Sequence, residues 1–189
     1  MSWSSTTVRH FRPVLCAALA LLGGCSQATP EATSQQLELS ICQLENTVFT
    51  DSNLDALLSV GDSVSYTLRV SSSGDCSAPD GSLYGLERAV ERRQGRDGEA
   101  LLLTHFQGTI QLPDGNLQLQ SMGHIALSQQ ADQRFQRSGP VTMELQQLFP
   151  LLEQTTVIGQ GGRFNGFVGV ATIDPNKSPE IKVQLGRQS

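Results

Sequence analysis

Past its first two dozen residues the chain has no long apolar run, no internal repeat and no low-complexity tract. That leaves no candidate for a membrane-spanning helix and none for a solenoid. The chain also lacks a GxSxG nucleophile elbow, a Walker loop, a zinc-ligand spacing and a calcium loop, so the chemistry those frames support is not assigned to it. Basic residues are in deficit, 13 against 18 acidic, for a formal net charge of −5. A basic face for nucleic acid or anionic lipid is therefore not expected, nor is a cofactor. Helical periodicity is scarce, whereas glycines number 18.

What is present begins with an export signal. Arg9 and Arg12 precede a short apolar core from Val14 to Leu22, followed by Leu22-Gly23-Gly24-Cys25. This order resembles a bacterial lipobox, with residues 1–24 as a lipoprotein signal peptide and Cys25 as the lipidated first residue of the mature protein. Ser26 stands where an aspartate would favour the inner membrane, so the expected address is the outer membrane, facing the periplasm, held there by the lipid on Cys25. Losing Arg9 and Arg12 with the leader takes the formal charge from −5 to −7. Residues 25–36 are small and polar and read as a flexible tether, which leaves 37–189 as the folded domain. Cys16 leaves with the leader and Cys25 carries lipid. Cys42 and Cys76 are then the pair left to form a disulfide in an oxidising compartment.

The domain alternates with period two. Leu37, Leu39 and Ile41 open a first strand that carries Cys42, and Val64, Tyr66, Leu68 and Val70 share one face of a second. A short helical turn fits between them, around Asn53 to Leu58. Residues 71–81 form a loop holding Cys76, a strand returns over 83–93, and a charged turn follows. Asp114-Gly115 signals a two-residue hairpin turn. That turn places Leu112 opposite Leu117, Phe106 opposite Gly123, and His105 opposite His124 on the polar face, where the two imidazoles would form an incomplete metal pair. Residues 128–156 are ambiguous: Val141, Met143 and Leu145 alternate like a strand, while 143–149 also fits two helical turns. In VIGQGGRFNGFVGVATI, 157–173, glycines fall between β-branched residues, so the stretch reads as strand, tight turn, strand and not as a phosphate loop opening a helix. A last strand covers 181–185. Short, closely spaced strands argue for an antiparallel barrel or sandwich.

Four motifs then carry a family resemblance across roughly 60–173. Gly61-Asp62-x-x-x-Tyr66-Thr67 is similar to a GDxxxFT strand opening, and Gly81-x-x-x-Gly85 to a GxxxG segment. Asp114-Gly115-x-Leu117 is similar to a DGxI turn, and Ile158-Gly159-x-x-Gly162-Arg163-Phe164-x-Gly166-x-x-Gly169 to ITGGTGxFxGxxG. In this order they resemble the allene oxide cyclase and dirigent group. The resemblance implies an all-β fold, a small antiparallel barrel of about eight strands, which commonly associates as a homotrimer. In the plant cyclases an asparagine and a cysteine line the cavity; Leu68 and Glu87 occupy the matching positions here.

That position makes Glu87 the candidate catalytic group, as a carboxyl inside an apolar cavity. The apolar parity of Tyr84, Leu86 and Val90 argues the reverse, with Glu87 on the solvated face. The expected ligand cavity is lined by Tyr66, Leu68, Phe106 and Ile125 and given room by Gly108, Ser121 and Gly123. Three functions stay open: a lipoprotein barrel that binds a small apolar ligand or a partner, a cyclase or isomerase acting on an unsaturated hydrophobic substrate, and a structural envelope lipoprotein with a packed barrel.

Overall fold

The computed structural model describes residues 33–95, 99–128, 135, 137–142, 152–174 and 180–187. Strands β1 (Ser34–Thr50), β2 (Ser63–Ser71), β3 (Gly81–Gln94), β4 (Ala100–Leu112), β5 (Gly115–Leu127), β7 (Leu152–Gln160), β8 (Phe167–Asp174) and β9 (Glu180–Arg187) pair antiparallel in that order. The two-residue β6 (Gly139–Pro140) lies against β1. β1 closes the sheet into a ring, because its first part pairs with β9 from Ser34–Gly186 to Ser40–Glu180 and the remainder pairs with β2 from Ser40–Ser71 to Thr50–Ser63. This is the expected antiparallel barrel of about eight strands. β1 starts ahead of Leu37, where alternation alone placed the start of the domain.

Alternation drives the closure. On β2 the side chains of Val64, Tyr66, Leu68 and Val70 are buried, and on β4 those of Leu102, Phe106 and Ile110 are fully buried. They merge with Leu39, Leu117, Val157, Ile181 and Val183 into one apolar interior. Each such side chain contributes about 1.5–3 kcal/mol by leaving water, so a one-residue slip of any strand, which would turn its whole apolar set outward, is strongly disfavoured.

The β4–β5 hairpin keeps the expected faces but not the expected register. Leu112 pairs with Gly115 and Ala100 with Leu127, so the turn residues are Pro113 and Asp114. The predicted Asp114-Gly115 turn would have put Pro113 in the ladder, where it has no N–H to donate. Proline instead takes the second position of the turn, and Gly115, at φ 141°, takes the fourth. The slip is two residues, which preserves parity and changes every partner. The expected His105–His124 pair is thereby lost: His105 faces Met122, and Leu103 faces His124.

The glycine-rich stretch forms strand, turn and strand as predicted, with one 3-10 turn at Gly162–Phe164 between β7 and β8. This turn docks on the β4–β5 turn: the Arg163 N–H donates to the Asp114 carbonyl at 2.9 Å, and a side chain on Gly162 would collide with that same carbonyl. No helix forms over 53–58. There the Asp62 carboxylate accepts the N–H groups of Ser52 (2.7 Å) and Ser59 (2.8 Å), and Asp51 accepts those of Leu54 and Ala56, giving the backbone a non-helical alternative. The strand-or-helix segment 143–149 lies outside the described residues.

Cys42 and Cys76 are bonded, with Cα atoms 5.1 Å apart. Cys42 falls at an irregularity of the β1–β2 ladder, between the Ile41 and Gln43 pairs, and the bulge aims its side chain at the loop after β2. The bridge spans 34 positions of sequence. For a loop of that size, replacing both cysteines by alanine should lower stability by about 3–4 kcal/mol in denaturant unfolding. A loss under about 1 kcal/mol would show that the β1–β2 ladder already holds this corner alone.

Candidate functional site

The inward faces of five adjacent strands bring distant residues into one transverse row. Val64 on β2 faces Glu87 on β3, Glu87 faces Phe106 on β4, and Phe106 faces Ser121 on β5. The β5–β7 ladder ends at Gln120–Thr156, which puts Ser121 and Thr155 at its next step, and Thr155 pairs onward with Ala171 of β8. Glu87 is 4% exposed and Thr155 is fully buried. Three atoms of this row, Glu87 Oε1, Ser121 Oγ and Thr155 Oγ1, are buried and have no hydrogen-bond partner among the described residues. Each such group forfeits about 1–3 kcal/mol of hydration, so three in one row of an otherwise apolar interior is a feature that packing alone does not explain.

Two aromatic rings frame the row. The Tyr66 ring lies over Gly85, its partner on β3, where any side chain would collide with it. The Phe106 ring leans over Gly108, whose added Cβ would sit 2.7 Å from Cζ. Glycine at 85 and 108 is thus what lets the rings lie flat along the wall. The room expected at Gly108 is occupied by Phe106, which leans along its own strand.

Burial pushes the Glu87 carboxyl well above the ordinary value of 4.5, and the neighbouring Tyr66 hydroxyl offsets part of the rise. Burial likewise pushes the Tyr66 hydroxyl well above 10.0, with the charge of an ionised Glu87 adding to it. Glu87 therefore keeps its proton to higher pH than an ordinary glutamate and can act as a hydrogen-bond donor or general acid. The parity argument that placed Glu87 in solvent is corrected here. Tyr84 (46% exposed) and Val90 (39% exposed) face outward, because Tyr66 fills the interior beside β3 and leaves that strand's inward positions to Gly85, Glu87 and Ala89.

Of the other anticipated lining residues, Tyr66, Leu68, Phe106, Gly108 and Gly123 are buried, while Ser121 and Ile125 face inward and are only half-buried. Thr155 was not anticipated. Its parity with Val157 was readable, but its neighbours across the ring were not. An open groove of about 380 Å³ lies on the outer wall instead, between Tyr84, Leu86, Gln107, Gln118, Thr156 and Ile158. His105 makes a 2.9 Å contact with the Gln120 side chain. The one cluster of at least three potential metal ligands among the described residues is Asp51, Asp55 and Asp62, whose carboxylates accept backbone N–H groups of their own loop. Cys25 and residues 1–24, read above as a leader, lie outside the described residues.

The burial of Glu87 fixes the sign of its pH effect. Below about pH 4.5 both folded and unfolded chains hold the proton. Between that value and the higher folded one, the unfolded chain releases the proton and is stabilised, so the folded protein loses stability as pH rises. Glu87→Gln should abolish this loss. Denaturant unfolding near pH 5 and near pH 7 should show the variant gaining on the parent over that interval. Parallel curves would mean that Glu87 ionises freely in the folded state.

No protein-family model matches the chain, and no curated protein does. Solved structures are similar to it. One is a Diels–Alderase from Streptomyces koyangensis, 17% identical with a TM-score of 0.49, the match covering 85% of this chain and 72% of that one. Another is a nonspecific heme-binding cyclase that catalyses a 4 + 2 cycloaddition during neoabyssomicin biosynthesis, 17% identical with a TM-score of 0.50 over 84% of this chain and 66% of that one. At this identity the likeness to the cyclase concerns architecture: this chain is similar to it as an all-β antiparallel ring.

Proposed function

We propose that the ring is a receptacle for a small, mainly apolar molecule, carried on a lipid anchor at the periplasmic face of the outer membrane. The observation that carries this reading is the row of three buried polar atoms without partners in an apolar interior. A barrel that served only as a packed support would gain stability by replacing those groups with apolar ones, which makes the structural reading the weaker one. The anchor rests on the Leu22-Gly23-Gly24-Cys25 pattern, and association of three copies rests on the family resemblance.

A second reading, a cyclase or isomerase, is favoured by one specific feature, the buried proton-holding Glu87 beside Tyr66. An apolar chamber accelerates ring closure by holding an unsaturated chain near its reactive conformer, and a positioned acid can polarise one end of it. Cyclisation by a protein of similar architecture makes the fold compatible with such work. Loss of turnover in Glu87→Gln with the fold intact would support this reading over simple binding.

Native mass spectrometry of protein gently extracted from the envelope is expected to show a retained apolar molecule, and to report subunit number in the same spectra. Radiolabelled palmitate should enter the parent and not Cys25→Ser. Protein with no retained mass, and no thermal stabilisation by any apolar compound, would overturn the receptacle.

A further inference from the structure

Among the described residues the β5–β7 side of the ring is paired over only part of its length. The β5–β7 ladder runs from Asn116–Gln160 to Gln120–Thr156 and stops, although β5 continues to Leu127 and β7 extends back to Leu152. Among the described residues Ser121–Leu127 has no ladder partner on that side. The inward positions of β5 along this stretch include the half-buried Ser121 and Ile125, whereas Leu102 and Phe106, facing the same interior from β4, are fully buried. The described ladder thus ends where the polar row crosses from β5 to β7, at Ser121 and Thr155.

Resting on the receptacle reading, we infer that the seam between β5 and β7 admits a mainly apolar molecule carrying a carbonyl group, and that Glu87 donates a hydrogen bond to that carbonyl while Ser121 and Thr155 line its approach. Three features point to a carbonyl rather than a hydrocarbon or an ion. The walls above and below the row are apolar, with Leu102, Ile110, Leu117 and Val157 fully buried, so the body of the guest is apolar. No arginine, lysine or histidine is buried in this interior among the described residues, so an anionic head has no counter-charge. A carboxylic acid with a free oxygen in an apolar setting offers a proton, and an acceptor oxygen is its complement. A guest lacking that oxygen leaves Glu87 Oε1 unpaired, which is the arrangement that discriminates most strongly between otherwise identical molecules.

The test uses the full-length chain in mild detergent, with detergent blanks subtracted, and two matched probes: a dimethylamino-naphthalene bearing an acetyl group, and its counterpart bearing an ethyl group. The ketone should bind roughly tenfold tighter than the ethyl counterpart, about the worth of one net hydrogen bond. Its carbonyl stretch should move to lower frequency on binding. Glu87→Leu should remove both the preference and the shift while the ethyl probe still binds, and Ser121→Ala with Thr155→Val should narrow the preference. Should Glu87→Leu fail to fold, Glu87→Gln, with its weaker amide donor, should give a smaller frequency shift. Equal affinity for the two probes, or a carbonyl stretch that no Glu87 variant alters, would overturn the carbonyl seat and leave the receptacle standing. Binding of neither probe would overturn both.

Discussion

Closure of the backbone ladder through β1 is the constraint on which the rest depends. A strand that pairs with β9 along its first part and with β2 along the remainder must bend between the two, and β1 does so around irregularities after Ile41 and Leu44. Once the ring is shut, every strand has one inward face and one outward face, and all inward faces share a single interior. Bulk on one strand must then be matched by its absence on a neighbour. Tyr66 over Gly85 is that exchange made visible, and Phe106 over Gly108 repeats it within one strand. The disulfide at the first β1 irregularity ties down the corner where the strand turns from one partner to the other.

The same sharing of space explains how a carboxyl came to lie inside. With Tyr66 spread across β3, that strand presents small inward residues, and Glu87 stands next to the aromatic hydroxyl in a volume already closed to water. A buried acid stays neutral more cheaply than it ionises. The position therefore stores a proton at the end of a row whose other polar members, Ser121 and Thr155, come from strands more than thirty positions away in sequence. This is a costly arrangement for a protein that needed only a stable core, and it gives the interior a chemical direction: apolar walls, with one end able to donate.

The docking of the β4–β5 turn on the β7–β8 turn shows how the glycine motifs serve the ring. Gly115, Gly161 and Gly162 all have positive φ, and side chains at Gly115 and Gly162 would strike the opposite turn. Two motifs that look independent in sequence are halves of one contact, which anchors the paired end of β5 and β7.

Much of this architecture was legible in the chain alone. Period-two alternation in β2, β4 and β5 identified their inward faces, and glycines set among β-branched residues identified the β7–β8 turn, since those patterns report local backbone preference. The pairing of Cys42 with Cys76 was expected once Cys16 and Cys25 were read as belonging to an export signal and a lipid anchor, and the two are bonded. What only the tertiary structure decided was whatever depends on a neighbour from elsewhere in the chain. Glu87 lies inside because Tyr66 occupies the space beside β3, overriding the apolar look of Tyr84, Leu86 and Val90. His105 and His124 are apart because Pro113 cannot donate to a ladder. Ser121 and Thr155 fall at the end of one ladder because β5 and β7 are adjacent in the ring and their described pairing stops at Gln120. Burial, register and the end of a ladder are properties of pairs of strands, and one strand's sequence holds only half of each.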